Sequence, residues 1–595
     1  MAIEFKDGKY VDPQTGRVTL DPTVYKDWQI AEEAEKNLPP VDYFREKLGL
    51  LPEEIIPYGK TPKIDFIKVM KRLKDKPDGK FIEVTAITPT PFGEGKSTVS
   101  LGLIEGLGKL GLNVGGALRQ PSGGPTMNVK GTAAGGGNAL LMPMTEFSLG
   151  LTGDINDIMN AHNLAMVALN ARMQHERNNN DEWLAKKGLK RLDIDPKRVE
   201  MGWVMDFCAQ GLRNIIIGLG GRLDGYMMES KFGIAVGSEL MAILAVARDL
   251  KDLRERIGKI VVAYSRSGEP VTCDDLEVAG AMTAWMRNTI NPTMCYSVEH
   301  QPVLVHAGPF ANIAIGQSSV IADRLALKLF DYHVTESGFA ADIGFEKFWN
   351  VKTRLSGLTP NVSVLVATVR ALKMHGGLDK KELAVEDIGA LERGIPNLLR
   401  HVSNIKNVYK LPCVVAVNRF PTDTDAEIDF IIAKCRELGV NTVLSTVWAE
   451  GGKGGEALAR EVVRLCEEEK GDFTFAYEDE LSIEEKIEAV VRKVYGGDGI
   501  TVMPNAKKQI AQLEALGFSK CPVCIAKTQY SFSDDPTKLG APEHFTVTVK
   551  NVKVSAGAGF IVVLTGDILT MPGLPKVPAA EKIDVDESGR ITGLF

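Results

Sequence analysis

TPTPFGEGKSTVS, residues 88–100, decides the fold of this 595-residue chain. The apolar run KFIEVTAI precedes it, and STVSLGLIEGLGKLG follows with apolar residues at helical spacing. A strand, a glycine-rich loop and a helix in this order predict a phosphate-binding loop on a parallel α/β sheet. The motif for such a loop begins with glycine, and Thr90 stands at that position here.

The residues that such a loop needs for binding phosphate are present. Gly93 and Gly95 let backbone N–H groups approach phosphate oxygens, and Lys96 reaches the terminal phosphates. Ser97 can bind Mg²⁺ or a phosphate oxygen at the helix N-terminus. A glycine turn without a ligand is the alternative interpretation. We predict an ATP-binding loop that consists of Thr90, Gly93, Glu94, Gly95, Lys96, Ser97 and Thr98.

Two features downstream suit an anionic substrate. Arg119 ends a predicted strand in ALRQPSGGP, and a guanidinium binds a carboxylate or acyl phosphate through two parallel hydrogen bonds. In NVKGTAAGGGNALLMPM, the glycines allow the backbone to lie close to a ligand or to another segment. A flexible loop would have a similar composition. The glycines of this cluster are Gly131, Gly135, Gly136 and Gly137.

Composition excludes several classes of protein. The net charge is −7 with no long basic run, which argues against nucleic acid and anionic membrane as partners. The apolar runs are too short to span a bilayer, and the N-terminus lacks the apolar segment of a secretion signal. The eight cysteines follow no regular spacing, and we therefore expect reduced thiols in a cytoplasmic protein.

β-branched runs that alternate with helical segments predict the domain organisation. We expect a large P-loop NTPase-like domain with a mostly parallel sheet, to which NIIIGLGG and KIVVAY contribute buried strands. Two smaller α/β or α+β domains should follow it. The predicted segments are an N-terminal arm or cap (1–64), the nucleotide-binding domain (65–385), a second α/β domain (386–500) and a C-terminal α+β domain (501–595).

Longer motifs occur from about residue 55 to the C-terminus: AITPTPFGEGKSTVSLGL, KGTAAGGG, LTGD, HAGPFANIAIG, VATVRALKMHGG, AVNRFPTDTDAEI, VWAEGGKGG, AKTQYSFSDDP and MPGLPKVPAAEKID. Their order and spacing resemble the formate–tetrahydrofolate ligase family, whose members are also called formyltetrahydrofolate synthetases. The last motif is the most specific of the set.

The resemblance implies an ATP-dependent carbon–nitrogen ligase. Members of this family phosphorylate formate with MgATP and transfer the formyl group from formyl phosphate to N10 of tetrahydrofolate, releasing ADP and phosphate. Activation is needed because a carboxylate is a poor electrophile, and phosphorylation supplies a leaving group. The resemblance also implies a monovalent cation, K⁺ or NH₄⁺, and a homotetramer.

The resemblance assigns roles to individual residues. Lys96 would neutralise the transferring phosphoryl group, and Arg119 would hold formate and then formyl phosphate. Asp154, in LTGD, would lie near the reacting groups, although a turn or helix-cap aspartate is an equal alternative. Phe420 and Trp448 match aromatic residues that stack on a flat ring of the folate, although core packing would also suit them.

Several positions depart from the family pattern near the expected meeting point of acid and folate. A glutamine replaces a glutamate in LRQPS, and an isoleucine replaces a histidine in HAGPFANIAIG. Glutamine cannot accept a proton as glutamate does, and isoleucine has no acid–base chemistry. The altered positions are Gln120, Thr132, Asn138, Asn156, Ala307 and Ile315.

These substitutions leave three functions open. The chain could be an ordinary ligase, because positioning and electrostatics from Lys96 and Arg119 account for most of the rate. It could be a divergent paralogue with another acid, acceptor or direction of use. It could also be a catalytically quiet homologue that binds nucleotide or folate. A P-loop ATPase of the partition or dethiobiotin-synthetase kind would lack the downstream motifs.

Overall fold

A twelve-stranded sheet forms the centre of the chain in the computed structural model, which describes residues 3–13, 15–123, 133–150, 153–207, 209–566, 571 and 573–594. Its strands are β1 (Ile55–Ile56), β2 (Lys63–Ile64), β3 (Lys80–Ala86), β4 (Val114–Leu118), β5 (Gly135–Gly136), β6 (Ala139–Met142), β7 (Thr293–Ser297), β8 (Pro302–Val305), β9 (Tyr332–Glu336), β10 (Val362–Ala367), β11 (Cys413–Asn418) and β12 (Thr442–Ser445).

The strand order is β12-β11-β10-β3-β9-β4-β8-β7-β2-β1, with β6 paired to β7 and β5 to β6. From β12 to β8 all neighbours are parallel, and the remaining pairs are antiparallel. The carboxyl ends of the parallel strands lie at one edge, where α/β proteins bind ligands. The predicted α/β class is confirmed.

Five helices position the residues discussed below: α1 (Lys96–Lys109), α2 (Asp154–Asn178), α3 (Glu239–Val246), α4 (Val447–Glu450) and α5 (Pro504–Ala515). The other described α-helices are Asp27–Glu35, Val41–Lys47, Phe66–Arg72, Met144–Ser148, Asp181–Lys186, Leu250–Gly258, Ala279–Trp285, Val320–Leu329, Arg354–Ser356, Val369–His375, Ile388–Ser403, Asp425–Glu437, Gly452–Glu468 and Ile483–Val490. No helix in the described ranges is both long and apolar enough to cross a membrane.

Glycines on α1 let neighbouring segments approach its backbone. A Cβ atom on Gly102 would lie 2.3 Å from Cβ of Val447, and one on Gly106 would lie 2.7 Å from the carbonyl carbon of Gly455. Larger residues at these positions would push α1 away from α4 and from the helix Gly452–Glu468. The glycines therefore allow α1 to pack closely against α4 and the helix Gly452–Glu468.

Smaller sheets surround the central one. The parallel pairs are Trp203–Met205 with Phe232–Ile234, and Gly499–Val502 with Thr546–Val549. A mixed sheet contains Val523–Ala526, Phe560–Leu564 and Asn551–Ser555. The other sheets are antiparallel: Lys9–Val11 with Val18–Leu20, Asp584–Val585 with Ile591–Thr592, Ile215–Ile217 with Met228–Ser230, and Val261–Ser265 with Pro270–Thr272 and Ile194–Val199.

The prediction of a buried strand at NIIIGLGG is wrong. Ile215–Ile217 pairs only with Met228–Ser230 among the described strands, and Ile216 is 62% exposed. An apolar run predicts a strand, but its burial depends on packing that the run itself does not specify. The run at KIVVAY does form a largely buried strand, Val261–Ser265, outside the central sheet.

The central sheet contains strands from both sides of residue 385. β10 ends at Ala367, whereas β11 and β12 lie within 413–445, and β10 and β11 are adjacent and parallel. The division of the chain at 64, 385 and 500 stays a prediction.

Candidate active site

The glycine-rich loop connects β3 to α1 at the carboxyl end of β3. Gly93 and Gly95 have φ values of 79° and 68°, in the left-handed region that favours glycine. A Cβ atom on Gly95 would lie 2.4 Å from Nδ2 of Asn418, so no larger residue fits there. α1 begins at Lys96, and the free N–H groups of its first turn suit an anion.

Glu336, the last residue of β9, faces the loop from the neighbouring strand. Its Oε2 atom accepts a hydrogen bond of 2.8 Å from Oγ of Ser97 and lies 3.6 Å from Nζ of Lys96. Burial lowers the pKa of Lys96, and the charge of Glu336 opposes that shift. Sequence reasoning missed Glu336, because nothing in the local sequence of its strand, YHVTE, indicates that it faces the loop.

Glu83 is a second carboxyl group that sequence reasoning missed. It lies on β3 and is fully buried, and burial raises its pKa to about 8. Ser363 donates a hydrogen bond of 3.1 Å to its Oε2 atom, and the nearby charge of Lys96 favours its ionised form. The protonation of Glu83 therefore depends on the charges of the loop.

Glu94 holds the loop together from inside. Its Oε1 atom accepts a hydrogen bond of 2.6 Å from the backbone N–H of Thr90, and Thr368 donates to its Oε2 atom. Nε of Arg370 lies 3.6 Å from the same Oε2 atom. Thr90 is absent from the described residues with positive φ, so its position needs no glycine. This geometry explains how the loop forms without the first glycine of the motif.

Arg119 follows β4, which lies next to β9 in the sheet. Nη1 donates a long hydrogen bond of 3.4 Å to the carbonyl oxygen of Pro309, whereas the buried Nε has no hydrogen-bond partner. Within the described residues Arg119 forms no ion pair. Burial lowers the pKa of its guanidinium, and the charge of Glu336 opposes that effect. Among the described residues Glu336 is thus a charged neighbour of Arg119, but no carboxylate lies within ion-pair distance of its guanidinium.

The two predicted aromatic residues lie near the start of α1. Cζ of Phe420 is 3.6 Å from the position of a Cβ atom on Gly95, and Arg370 covers one ring face at 3.7 Å. Cδ1 of Trp448, on α4, would lie 3.6 Å from a Cβ atom on Gly136. Both side chains are half-buried. The fold therefore places both rings beside the glycine-rich segments.

Asp154 is the first residue of α2 and is fully buried. Oδ1 lies 3.1 Å from Nζ of Lys63, and Oδ2 accepts a hydrogen bond of 3.2 Å from the backbone N–H of Ala307. Lys63, which sequence reasoning missed, is also buried and donates to the carbonyl oxygen of Asn291 at 3.2 Å. The pair supports the segment that includes Pro309, the partner of Arg119.

Two altered positions lie beside Arg119. The backbone N–H of Gln120 donates to the carbonyl oxygen of Ala307 at 2.6 Å, and its Nε2 donates to that of Phe147 at 3.3 Å. Ala307 has a φ of 51°, in the left-handed region that favours glycine.

The other altered positions have separate surroundings. Nδ2 of Asn138 donates to the carbonyl oxygens of Leu20 and Ala449, at 2.9 Å each, and so joins the N-terminal segment to α4. Ile315 is buried in the apolar core, and Asn156 is exposed on the first turn of α2. Gly131 and Thr132 lie outside the described residues.

The fold and this cluster are typical of α/β proteins that bind a phosphorylated ligand. The family model for formate–tetrahydrofolate ligase matches residues 25–595. A formate–tetrahydrofolate ligase of Syntrophobacter fumaroxidans is 58% identical over 586 residues, which cover 97% of this chain and 100% of the relative. One from Dehalococcoides mccartyi is 53% identical over 587 residues, with coverages of 97% and 98%. The chain belongs to the formate–tetrahydrofolate ligase family.

Proposed function

We propose that this chain ligates formate to N10 of tetrahydrofolate at the expense of ATP, giving 10-formyltetrahydrofolate, ADP and phosphate. The observation that carries the proposal is Arg119, a cation without a carboxylate partner among the described residues, beside the loop that contains Lys96. A small carboxylic acid and a phosphoryl group are the two ligands that this arrangement suits.

The first step joins formate to the γ-phosphoryl group. Arg119 holds formate so that one carboxylate oxygen faces the γ-phosphorus atom, while Lys96 and the loop N–H groups stabilise the charge on the transferring group. Ser97 and Glu336 supply a hydroxyl and a carboxylate oxygen 2.8 Å apart, which suits a hard cation. We assign the Mg²⁺ of MgATP to them; when bound, it withdraws charge from the phosphates.

The second step transfers the formyl group. N10 of tetrahydrofolate attacks the carbonyl carbon of formyl phosphate, phosphate leaves with the electrons of the C–O bond, and the proton of N10 passes to the departing phosphate. Phe420 and Trp448 hold the flat ring of the folate; Arg370 covers one face of Phe420 and so orients it. We assign Asp154 a positioning role, because Lys63 and the N–H of Ala307 occupy its two oxygen atoms.

The remaining features of the proposal rest on the family. They are the ATP-binding role of the loop, a P-loop NTPase-like domain with two smaller domains, a homotetramer, a monovalent cation (K⁺ or NH₄⁺) and a cytoplasmic location. Gln120 and Ile315 make backbone hydrogen bonds and core contacts that need no titratable group. A glutamine at 120 and an isoleucine at 315 therefore leave the contacts of Lys96 and Arg119 intact. This favours an active ligase over a catalytically quiet homologue.

The test is product formation by the purified chain with MgATP and K⁺. ADP release is compared without addition, with formate, and with formate plus tetrahydrofolate, and 10-formyltetrahydrofolate is followed after acid conversion to its methenyl form. We expect turnover only when both co-substrates are present. Nucleotide binding without turnover would contradict the proposal and support a binding role or another acid.

A further inference from the structure

A cavity of about 350 Å³ lies apart from the glycine-rich loop, and none of the site residues assigned above lines it. One wall comes from the strands Ile194–Val199, Trp203–Met205 and Val261–Ser265. Another part of the wall comes from α5 and the strand Asn551–Ser555. Ile313 and Ala314, next to Ile315, also line it, as do Ser238 and Glu239 at the start of α3.

Three cationic side chains from separate segments line this cavity: Arg198, Lys231 and Lys553. Among the described residues none of them forms an ion pair, and Arg198 instead lies 4.5 Å above the ring of Tyr264. Cations that form no ion pair and line one cavity attract an anion.

Two carboxylates, Glu200 and Glu239, also line the cavity. Glu239 accepts a hydrogen bond of 2.8 Å from the backbone N–H of Gly557, and burial raises its pKa to about 7. Near neutral pH a substantial fraction of Glu239 is therefore uncharged. Burial and the charge of Lys231 also lower the pKa of Lys553. The lining nevertheless has three basic side chains against two acidic ones.

The uncharged part of the lining is mixed. Trp203, Ile260 and Leu513 supply apolar surface, while the side-chain amide of Gln512 can both donate and accept hydrogen bonds. A ligand with an apolar body, an amide and separated carboxylates would satisfy all of these groups together.

We propose that this cavity binds a small N-acylated acidic amino acid. Two sources have this chemistry: the aminobenzoyl-glutamate end of the folate substrate, and a separate acidic metabolite. The first source rests on the proposed function, whereas the second does not. Arg198, Lys231 and Lys553 would bind the carboxylates, and Gln512 the amide.

Calorimetric titration tests the site without turnover, so its result does not depend on the proposed reaction. The probes are 4-aminobenzoyl-glutamate and N-acetylglutamate. We expect Kd for at least one probe to rise about tenfold or more in the Lys231→Gln/Lys553→Gln variant, because two charge-assisted contacts are lost. Glu200→Gln should tighten binding by removing a repulsive charge. Lys508→Gln, on the exposed side of α5 and outside the cavity, should leave Kd unchanged.

Binding of neither probe, or the same Kd in the double variant, would overturn the proposal. The two sources are separated by the KM of tetrahydrofolate and of tetrahydropteroate, which lacks the glutamyl end. If the folate end occupies the cavity, the preference for tetrahydrofolate is lost in the double variant. If the double variant binds the probes more weakly but still prefers tetrahydrofolate, the cavity is a binding site and its ligand is a separate acidic molecule.

Discussion

Lys96 and Glu336 come together from adjacent parallel strands, with 3.6 Å between Nζ and Oε2. The loop that carries Lys96 follows β3, and Glu336 ends β9, so both lie at the carboxyl edge of the sheet. The same Oε2 atom accepts a hydrogen bond from Ser97. This carboxylate therefore orients the lysine and the hydroxyl at the start of α1, which we propose to face the phosphates of ATP.

The position of Glu336 predicts a defect in metal-dependent nucleotide binding. In Glu336→Gln we expect the gain in ADP affinity on adding Mg²⁺ to fall by about tenfold, since a carboxylate ligand is lost. Calorimetric titration with ADP, with and without Mg²⁺, measures this gain in affinity. Asp331→Asn, exposed beside the opposite end of β9, is the control and should keep the gain. If Mg²⁺ increases the ADP affinity of Glu336→Gln as much as that of the parent chain, Glu336 does not bind the metal.

Replacement of Arg119 should impair the use of formate selectively. Arg119→Gln removes two charge-assisted hydrogen bonds to formate, and we expect KM for formate to rise by about 100-fold. Because Arg119 follows β4 and is not part of the glycine-rich loop itself, Kd for ADP should change little. Steady-state kinetics with varied formate, combined with ADP titration, distinguishes the two effects. An equal loss of nucleotide affinity would show that the arginine acts on the loop.

Ala307→Gly should stabilise the chain. Ala307 has a φ of 51°, and a left-handed residue with a Cβ atom costs about 1–2 kcal/mol, partly offset by the entropy that glycine loses. We expect the free energy of unfolding to rise by up to about 1 kcal/mol. Ala340→Gly is the control: Ala340 is also buried but has a φ of −98°, and its variant should be destabilised. A lower melting midpoint for Ala307→Gly would refute the claim that the left-handed conformation of Ala307 destabilises the chain.

Glu83 predicts a pH dependence of stability. Its pKa is about 8 in the folded chain and near 4.5 ordinarily, because burial favours the neutral form. Between pH 4.5 and about pH 8, unfolding therefore releases a proton from Glu83, and the free energy of unfolding falls as the pH rises. In Glu83→Gln we expect the free energy of unfolding to decrease less as the pH rises. Melting midpoints at several pH values measure this. A parallel pH profile for the variant would mean that Glu83 is ionised when folded.

Local patterns in the sequence predicted the part of the site that is local. The strand, loop and helix around Gly95, Lys96 and Ser97 are contiguous, and their contacts follow from spacing. Glu336 lies 239 residues from Ser97, and only the strand order β3-β9-β4 brings it there. Periodicity identifies strands but does not order them, so this carboxylate could not be predicted.

The same reason explains the other residues that were missed. Lys63 contacts Asp154 across 91 residues, and a lysine in a short apolar segment gives no sign of burial. The exposed strand at Ile216 has the composition of a buried one, and only the absence of a covering layer in the fold distinguishes it. Asn138 was recognised as a substitution, but its hydrogen bonds to Leu20 and Ala449 depend on tertiary packing.

The central claim is that ATP phosphorylates formate beside Lys96 and Arg119 before the formyl group is transferred. Its most direct test follows an oxygen atom. The purified chain is supplied with formate that carries ¹⁸O at both oxygen positions, MgATP and tetrahydrofolate, and the released phosphate is analysed by mass spectrometry. The account predicts one ¹⁸O atom per phosphate, because the attacking formate oxygen leaves with the phosphorus atom. Unlabelled phosphate, accompanied by formation of 10-formyltetrahydrofolate, would contradict it.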